Sequence, residues 1–300
     1  MLDRIAYHHL IGVDCFVFVL DQRRSLSRAS LELLMQLRRR PDLVALLPFD
    51  TNQTAEHRLM DASAGLLHYL RIRRLPVEHY AYIDGDEYLV PVDAASPSDA
   101  VVLPPLRHML RGADALYLHR WDFGGAGYAR LEPAQLSQQP LFAWLTSRDG
   151  EHRRACVGKT AAIWGKMLGR VDSGWRPQTM HGWAGGRMAL PNGRPYGPYN
   201  TAGTPDPCEA QPLTIFHFLG TLADCSRKAR LGAPASHGFV NQRREDRCRQ
   251  RHADETSGAV RVVQDRTLAR YANATRTHAL ELFGMQPADL ARLMSLYANV

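Results

Sequence analysis

A chain of 300 residues that is 45% apolar, 8% aromatic and 22% charged has the composition of an ordinary globular protein, which excludes fibrous, low-complexity and wholly disordered readings. Its net charge of +7 is almost entirely arginine, because lysine stands only at 159, 166 and 228, and arginine's planar fork suits phosphate and carboxylate partners. No window holds eighteen uncharged apolar residues and Met1-Leu2-Asp3-Arg4 is not a basic-then-apolar opening, so neither a transmembrane span nor a signal peptide is expected.

In chain order, Ile5 to Leu10 read as the tail of a helix ended by Gly12. The β-branched and aromatic run from Val13 to Leu20 predicts a buried strand ending at Asp21. A helix over Ser27 to Arg39, an apolar run from Leu43 to Phe49 and a longer amphipathic helix from Gln53 to Leu70 follow. Val77 to Ile83 predict a third strand that stops at Asp84. Strands separated by helix-length segments imply βαβ units and a parallel sheet, whose ligands bind at the carboxyl ends of the strands, where Asp21 and Asp84 fall.

The second half offers a short strand, Ala115 to His119, leading into Trp121-Asp122-Phe123-Gly124-Gly125-Ala126-Gly127. A Pro/Gly/Asn loop spans 191–207, and a strand from Leu213 to Leu219 contains His217. Helices are expected from Asp224 onward, with a flexible stretch around 233–258 and a last helix near Ala288 to Tyr297. Five cysteines (15, 156, 208, 225, 248) form no C-x-x-C pair, which argues against a disulfide framework or a structural zinc site and for reducing cytoplasm. The arginine clusters at 38–40, 71–74 and 243–251 suit solvated helical faces, an anionic membrane surface, an anionic acceptor or nucleic acid.

The sharpest feature is Tyr82-Ile83-Asp84-Gly85-Asp86-Glu87-Tyr88-Leu89-Val90-Pro91. Three carboxylates at a buried strand's end need a compensating cation or hydrogen-bond network. Aspartates at i and i+2 can turn toward one hard divalent ion, Mn²⁺ or Mg²⁺, of the kind that neutralises a diphosphate leaving group. The bland reading is an acidic turn or helix cap.

These residues resemble a family. Tyr7-His8-His9-Leu10-Ile11-Gly12-Val13-Asp14 is similar to the YHHLLGVDHF opening of family 92-like and related family 2 glycosyltransferases of GT-A fold. Asp84 to Pro91 is similar to their D-x-D-E-F-L-x-P, Trp121, Phe123 and Gly124 to a W-x-x-F-G segment, and His217-Phe218 with Lys228 and Gly232 to H-Y…K…G. Lys159 and His181 fall where a lysine and a histidine recur in the family. The resemblance runs in order over about residues 3 to 232.

What it implies is an α/β GT-A domain over residues 1 to 235, a mainly parallel sheet flanked by helices, with a helical and partly flexible C-terminal extension over 236–300. The implied activity is metal-dependent, inverting transfer of a sugar from a nucleotide-diphospho-sugar donor to a glycan or lipid-linked glycan acceptor. Asp21, Gln53, Asp84, Asp86, Glu87, Trp121, Gly124 and Lys228 would contact the donor, and Asp84, Asp86 and His217 the metal. An inverting transfer also needs a base. Asp122, Glu151, Asp172 and His181 are the candidates, with Asp122 in the glycine-rich loop and His181 beside Trp183 preferred.

The departures are specific. Asp3-Arg4 stands where the family has E-W, after a strand that this chain does not precede it with. Asp21-Gln22-Arg23-Arg24-Ser25 lacks the D-N-x-S-x-D pattern, and His79 replaces a common tryptophan. A truncated, non-catalytic nucleotide- or sugar-binding relative is therefore the first alternative. An arginine-rich nucleic-acid binder is disfavoured because no aromatics interleave the basic clusters, and a phosphate-ester hydrolase because no second ligand cluster is visible. The expected location is cytoplasmic, with peripheral contact to an anionic membrane as an option and no nucleic-acid partner.

Overall fold

The computed structural model describes residues 1–21, 28–49, 55–92, 94, 103–149, 165–177, 183–196, 211–231, 238–259 and 262–298. Its first half runs α1 (Leu2–Leu10), β1 (Phe16–Asp21), α2 (Arg28–Leu37), β2 (Val44–Phe49), α3 (Ala55–Ile72), β3 (His79–Ala81), β4 (Glu87–Pro91) and α4 (Leu103–Met109). Then come β5 (Ala115–Leu118), β6 (Arg120–Phe123), α5 (Pro133–Gln138), α6 (Leu141–Trp144), β7 (Ser147–Asp149) and β8 (Lys166–Arg170). The remainder is β9 (Arg176–Pro177), β10 (Trp183–Ala184), β11 (Met188–Ala189), β12 (Leu213–Phe218), α7 (Leu222–Leu231), α8 (Gly238–Ser257), β13 (Val262–Gln264), α9 (Ala272–Phe283) and α10 (Pro287–Ala298).

The mixed α/β architecture with C-terminal helices agrees with the sequence reading; the mainly parallel sheet does not. Parallel pairing occurs at β1–β2, β11–β5 and β12–β6, while β3–β8, β5–β8, β12–β4, β6–β7 and β13–β7 are antiparallel. The βαβ reading holds for β1–α2–β2, which form a two-stranded parallel sheet of their own. It fails at β3, which pairs with β8 from the second half of the chain. Apolar periodicity marks a strand but carries no information about its partner's direction.

Two larger sheets have the orders β11-β5-β8-β3 and β13-β7-β6-β12-β4. Two short connections lead from the first to the second, from β3 to β4 through residues 82–86 and from β5 to β6 through His119. The second crossing is fixed by the His119 carbonyl, which accepts from the Ile215 N–H and the Thr214 hydroxyl, both at 2.7 Å.

Helix α1 is buried on two sides. Leu2, Ile5 and Ala6 join one apolar cluster with Leu33, Leu37, Leu282 and Leu293, and Tyr7 and Ile11 join the main core with Tyr88, Leu89 and Phe142. An Asp3–Arg276 ion pair of 3.2 Å ties α1 to α9.

Two further expectations are revised. The stretch near 233–258, expected to be flexible, contains the 20-residue helix α8. Cys225 of α7 is disulfide-bonded to Cys248 of α8, with Cα atoms 5.8 Å apart, whereas no disulfide was expected from the cysteine spacing. The pair lies 23 residues apart and meets only because the two helices form a hairpin. Cys15 is free and exposed. Among the described residues, no helix is long and apolar enough to cross a membrane.

Candidate functional site

The turn between β3 and β4 carries Asp84 and Asp86. It is closed reciprocally: the Asp84 N–H donates to Glu87 Oε2 at 2.7 Å, and the Glu87 N–H donates to the Asp84 carbonyl at 3.1 Å. Glu87 is fully buried beneath the turn, as is Lys166 at the start of β8. Lys166 Nζ lies 2.7 Å from Asp84 Oδ2 and 3.4 Å from Glu87 Oε2, and 5.2 Å from the centre of the Tyr82 ring. Burial pushes the Glu87 carboxyl above its ordinary value against the pull of the Lys166 ammonium. Arg120 stands 3.7 Å from the other Glu87 oxygen.

Strand register brings a second group to the same place. In β12, His217 is opposite Glu87 of β4 on one side and beside Asp122 of β6 on the other. His217 Nδ1 lies 2.7 Å from Asp122 Oδ1, and Nε2 lies 3.5 Å from Asp86 Oδ2. Burial alone would lower the His217 pKa, but the two carboxylates outweigh it and hold the value up at about 9, so the ring is an imidazolium near neutral pH. Arg120 Nε is 3.1 Å from the same Asp122 oxygen. Asp84, Asp86, Glu87 and Asp122 are thus interleaved with Lys166, Arg120 and protonated His217 where β4, β6, β8 and β12 meet.

Helix α1 holds this turn from behind. Strand β4 is an edge of its sheet, and side chains from α1 meet its outward backbone groups. Arg4 Nε donates to the Glu87 carbonyl at 3.1 Å, the Tyr7 hydroxyl donates to the Leu89 carbonyl at 2.9 Å, and His8 Nε2 accepts the Leu89 N–H at 3.1 Å. His8 Nδ1 donates in turn to the Arg4 carbonyl at 2.8 Å, which fixes the neutral tautomer. Burial, with Arg4 adding to it, lowers the His8 pKa to about 3. The Tyr7-His8 pair is therefore structural here: it docks α1 on the strand that follows the acidic turn.

Of the residues singled out from sequence, Asp84, Asp86, Glu87, Asp122 and His217 come together in one cluster. Glu87 supports the turn from within rather than facing solvent. Trp121 is half-buried against the main core. Gly124 is buried, and the group that closes on it belongs to this chain: a Cβ there would collide with the Glu255 carboxylate of α8. Asp172 pairs with Arg170 at 2.9 Å at the opposite end of β8 from Lys166, roughly 13 Å away at the rise of a strand, and so lies apart from the cluster. Asp21 ends β1. Its side chain, like that of Lys228 in α7, lies outside the described residues, as do Gln53, Glu151, Lys159 and His181.

Sequence reasoning missed Lys166, Arg120 and Arg4. A signal for Lys166 existed, since a lysine is rare in this arginine-rich chain. Asp84, Asp86 and His217 do not form a ready metal triad, because Asp84 faces Lys166 while Asp86 faces His217. Among the described residues, no group of three or more His, Cys, Asp or Glu side chains is gathered to hold a metal ion. No family model matches the chain, and no curated protein matches it.

Proposed function

We propose that this chain is a glycosyltransferase of GT-A type, which moves a sugar from a nucleotide-diphospho-sugar to a glycan or lipid-linked glycan hydroxyl with inversion. The observation that carries the reading is that His217 joins the carboxylate of the D-G-D turn, Asp86, to that of a base candidate, Asp122. A donor-side turn and an acceptor-side carboxylate are then held at a fixed separation by one side chain, the pre-organisation that a displacement at a sugar carbon requires.

In this reading, the acceptor hydroxyl oxygen bonds to the anomeric carbon while the bond from that carbon to the diphosphate oxygen breaks. The hydroxyl proton passes to Asp122, and the nucleoside diphosphate departs. Arg120 and His217 fix the orientation of the Asp122 carboxylate. Lys166 and Glu87 fix the turn. A divalent ion, Mn²⁺ or Mg²⁺, would be held by the Asp84 and Asp86 carboxylates in place of Lys166 and His217 and would neutralise charge on the leaving diphosphate; His217, as an imidazolium, positions Asp122 and does not ligate the ion.

One observation favours a second reading, a non-catalytic nucleotide- or sugar-binding relative. Lys166 and the His217 imidazolium already balance Asp84 and Asp86 from within the chain. Incubation with UDP-, GDP-, CMP- and dTDP-sugars and manganese, following released nucleotide, separates the two. Turnover that is abolished by Asp122→Asn supports transfer. Nucleotide binding without any release of donor sugar supports the second reading.

A further inference from the structure

The C-terminal end of α3 leaves large apolar side chains uncovered. Tyr69, Ile72 and Leu75 are 50%, 65% and 40% exposed, and Ile72 is the most exposed large hydrophobic among the described residues. The helix closes here with a doubled turn: the Arg74 N–H donates to the Arg71 carbonyl at 3.2 Å and the Leu75 N–H to the Leu70 carbonyl at 3.3 Å. Arg74 occupies the left-handed position of that turn, at φ 47°, where glycine is the favoured residue.

Arginines surround these side chains. Arg71 turns inward and donates to the carbonyls of Val171 and Trp175, which fixes the segment to the body of the protein. Arg73 lies 5.8 Å from the centre of the Tyr69 ring, and Arg73, Arg74 and Arg176 are exposed. Two residues beyond Leu75 begins an open cavity of about 480 Å³, floored by Val77 and Leu110 and rimmed by Arg107, Arg111 and Arg170. Glu78 and Asp172 pair with Arg107 and Arg170 there. Leu31 and Met35 on α2 are also exposed and are followed by exposed Arg38 and Arg39, but their neighbour Glu32 brings a carboxylate there, paired with Arg292 at 2.7 Å.

We propose that this end of the molecule docks on an anionic lipid bilayer, with Tyr69, Ile72 and Leu75 entering the headgroup boundary and the arginines facing lipid phosphates. Exposed arginines alone would equally suit nucleic acid. Exposed aliphatic side chains set among them favour the bilayer, because an isoleucine gains from leaving water for acyl chains and gains little against a phosphate backbone. The proposal does not rest on the transferase reading, and donor binding is expected to be unaffected by every variant named next.

Cosedimentation of the full chain with vesicles of phosphatidylcholine, with and without phosphatidylglycerol, tests it. Binding is expected only with phosphatidylglycerol and is expected to weaken as salt rises. Arg74→Gly removes one charge at a position where glycine relieves the backbone, so folding is retained, and binding is expected to fall about fivefold. Ile72→Ser, at an exposed site, is expected to weaken binding at constant charge. Failure to sediment with either vesicle overturns the proposal. Binding unchanged by Ile72→Ser, with duplex DNA bound as tightly as the vesicles, overturns it in favour of a general phosphate-binding face. Concentration-dependent self-association lost in Ile72→Ser, without vesicle binding, overturns it in favour of a dimer contact.

Discussion

His217 Nδ1 lies 2.7 Å from Asp122 Oδ1, and the two residues are 95 apart in sequence. The contact exists because β12 pairs with both β4 and β6, so that one histidine faces carboxylates from both neighbours. Replacing His217 by alanine would leave Asp86 and Asp122 without their shared cation. We expect a loss of roughly 2 kcal/mol in stability, read by urea denaturation, and a larger loss of nucleotide binding than that alone would produce.

Lys166 is the most deeply committed charge of the cluster, since it and Glu87 are both fully buried. Lys166→Met is expected to destabilise by roughly 3 kcal/mol, because Glu87 would keep its burial, lose the nearer of its two cations and retain only Arg120 at 3.7 Å. Adding Glu87→Gln should recover part of that loss. A double-mutant cycle by denaturant unfolding measures the coupling, and simple additivity of the two single changes would count against a direct pair.

The pH dependence of folding has a defined sign at His8. Its folded pKa is lowered to about 3 from an ordinary 6.5, so between these values the unfolded chain takes up a proton that the folded chain refuses. His8 therefore costs no stability above pH 6.5, and its penalty grows as pH falls toward 3, by about tenfold in the folding equilibrium per pH unit. His8→Asn should unfold less steeply than the parent between pH 6.5 and 4 in urea titrations at each pH. Parallel curves would show that His8 is not buried neutral.

How much of this was legible in the sequence differs by residue. The acidic turn at a strand end could be read from the carboxylates of Asp84 to Glu87 behind an apolar run, α2 and α3 from their helical spacing, and β1 from its β-branched and aromatic run, although β1 is half-exposed and not buried as expected. The partners of those elements could not. His8 meets Leu89 across 81 residues and Lys166 meets Asp84 across 82, and nothing in local spacing encodes such contacts. Tyr7 and His8 stood out as a motif, yet their work, satisfying the outer edge of β4, appears only once α1 is seen lying on it. Strand direction was lost for the same reason: β3 has the pattern of a buried parallel strand and pairs antiparallel with β8.

The α7–α8 hairpin gives a separate test. Its disulfide links cysteines 23 positions apart, and Glu255 of α8 closes on Gly124 and accepts a hydrogen bond from the Gly127 N–H at 3.5 Å. Cys225→Ser should cost about 3 kcal/mol and raise the rate of proteolysis within α8. Peptide mapping without reductant should find Cys225 and Cys248 in one linked species; two separately alkylated peptides would show the hairpin held without the bond.

In the proposed reading, the Asp84-Gly85-Asp86 turn is the donor site. Thermal unfolding with manganese and each of UDP, GDP, CMP and dTDP, on this chain and on Asp86→Ala, tests it most directly. A rise in Tm is expected that needs both the metal and one nucleotide and vanishes in the variant. A shift of equal size in Asp86→Ala, or none with any nucleotide, would contradict it and leave the acidic turn as an internally balanced ion-pair network.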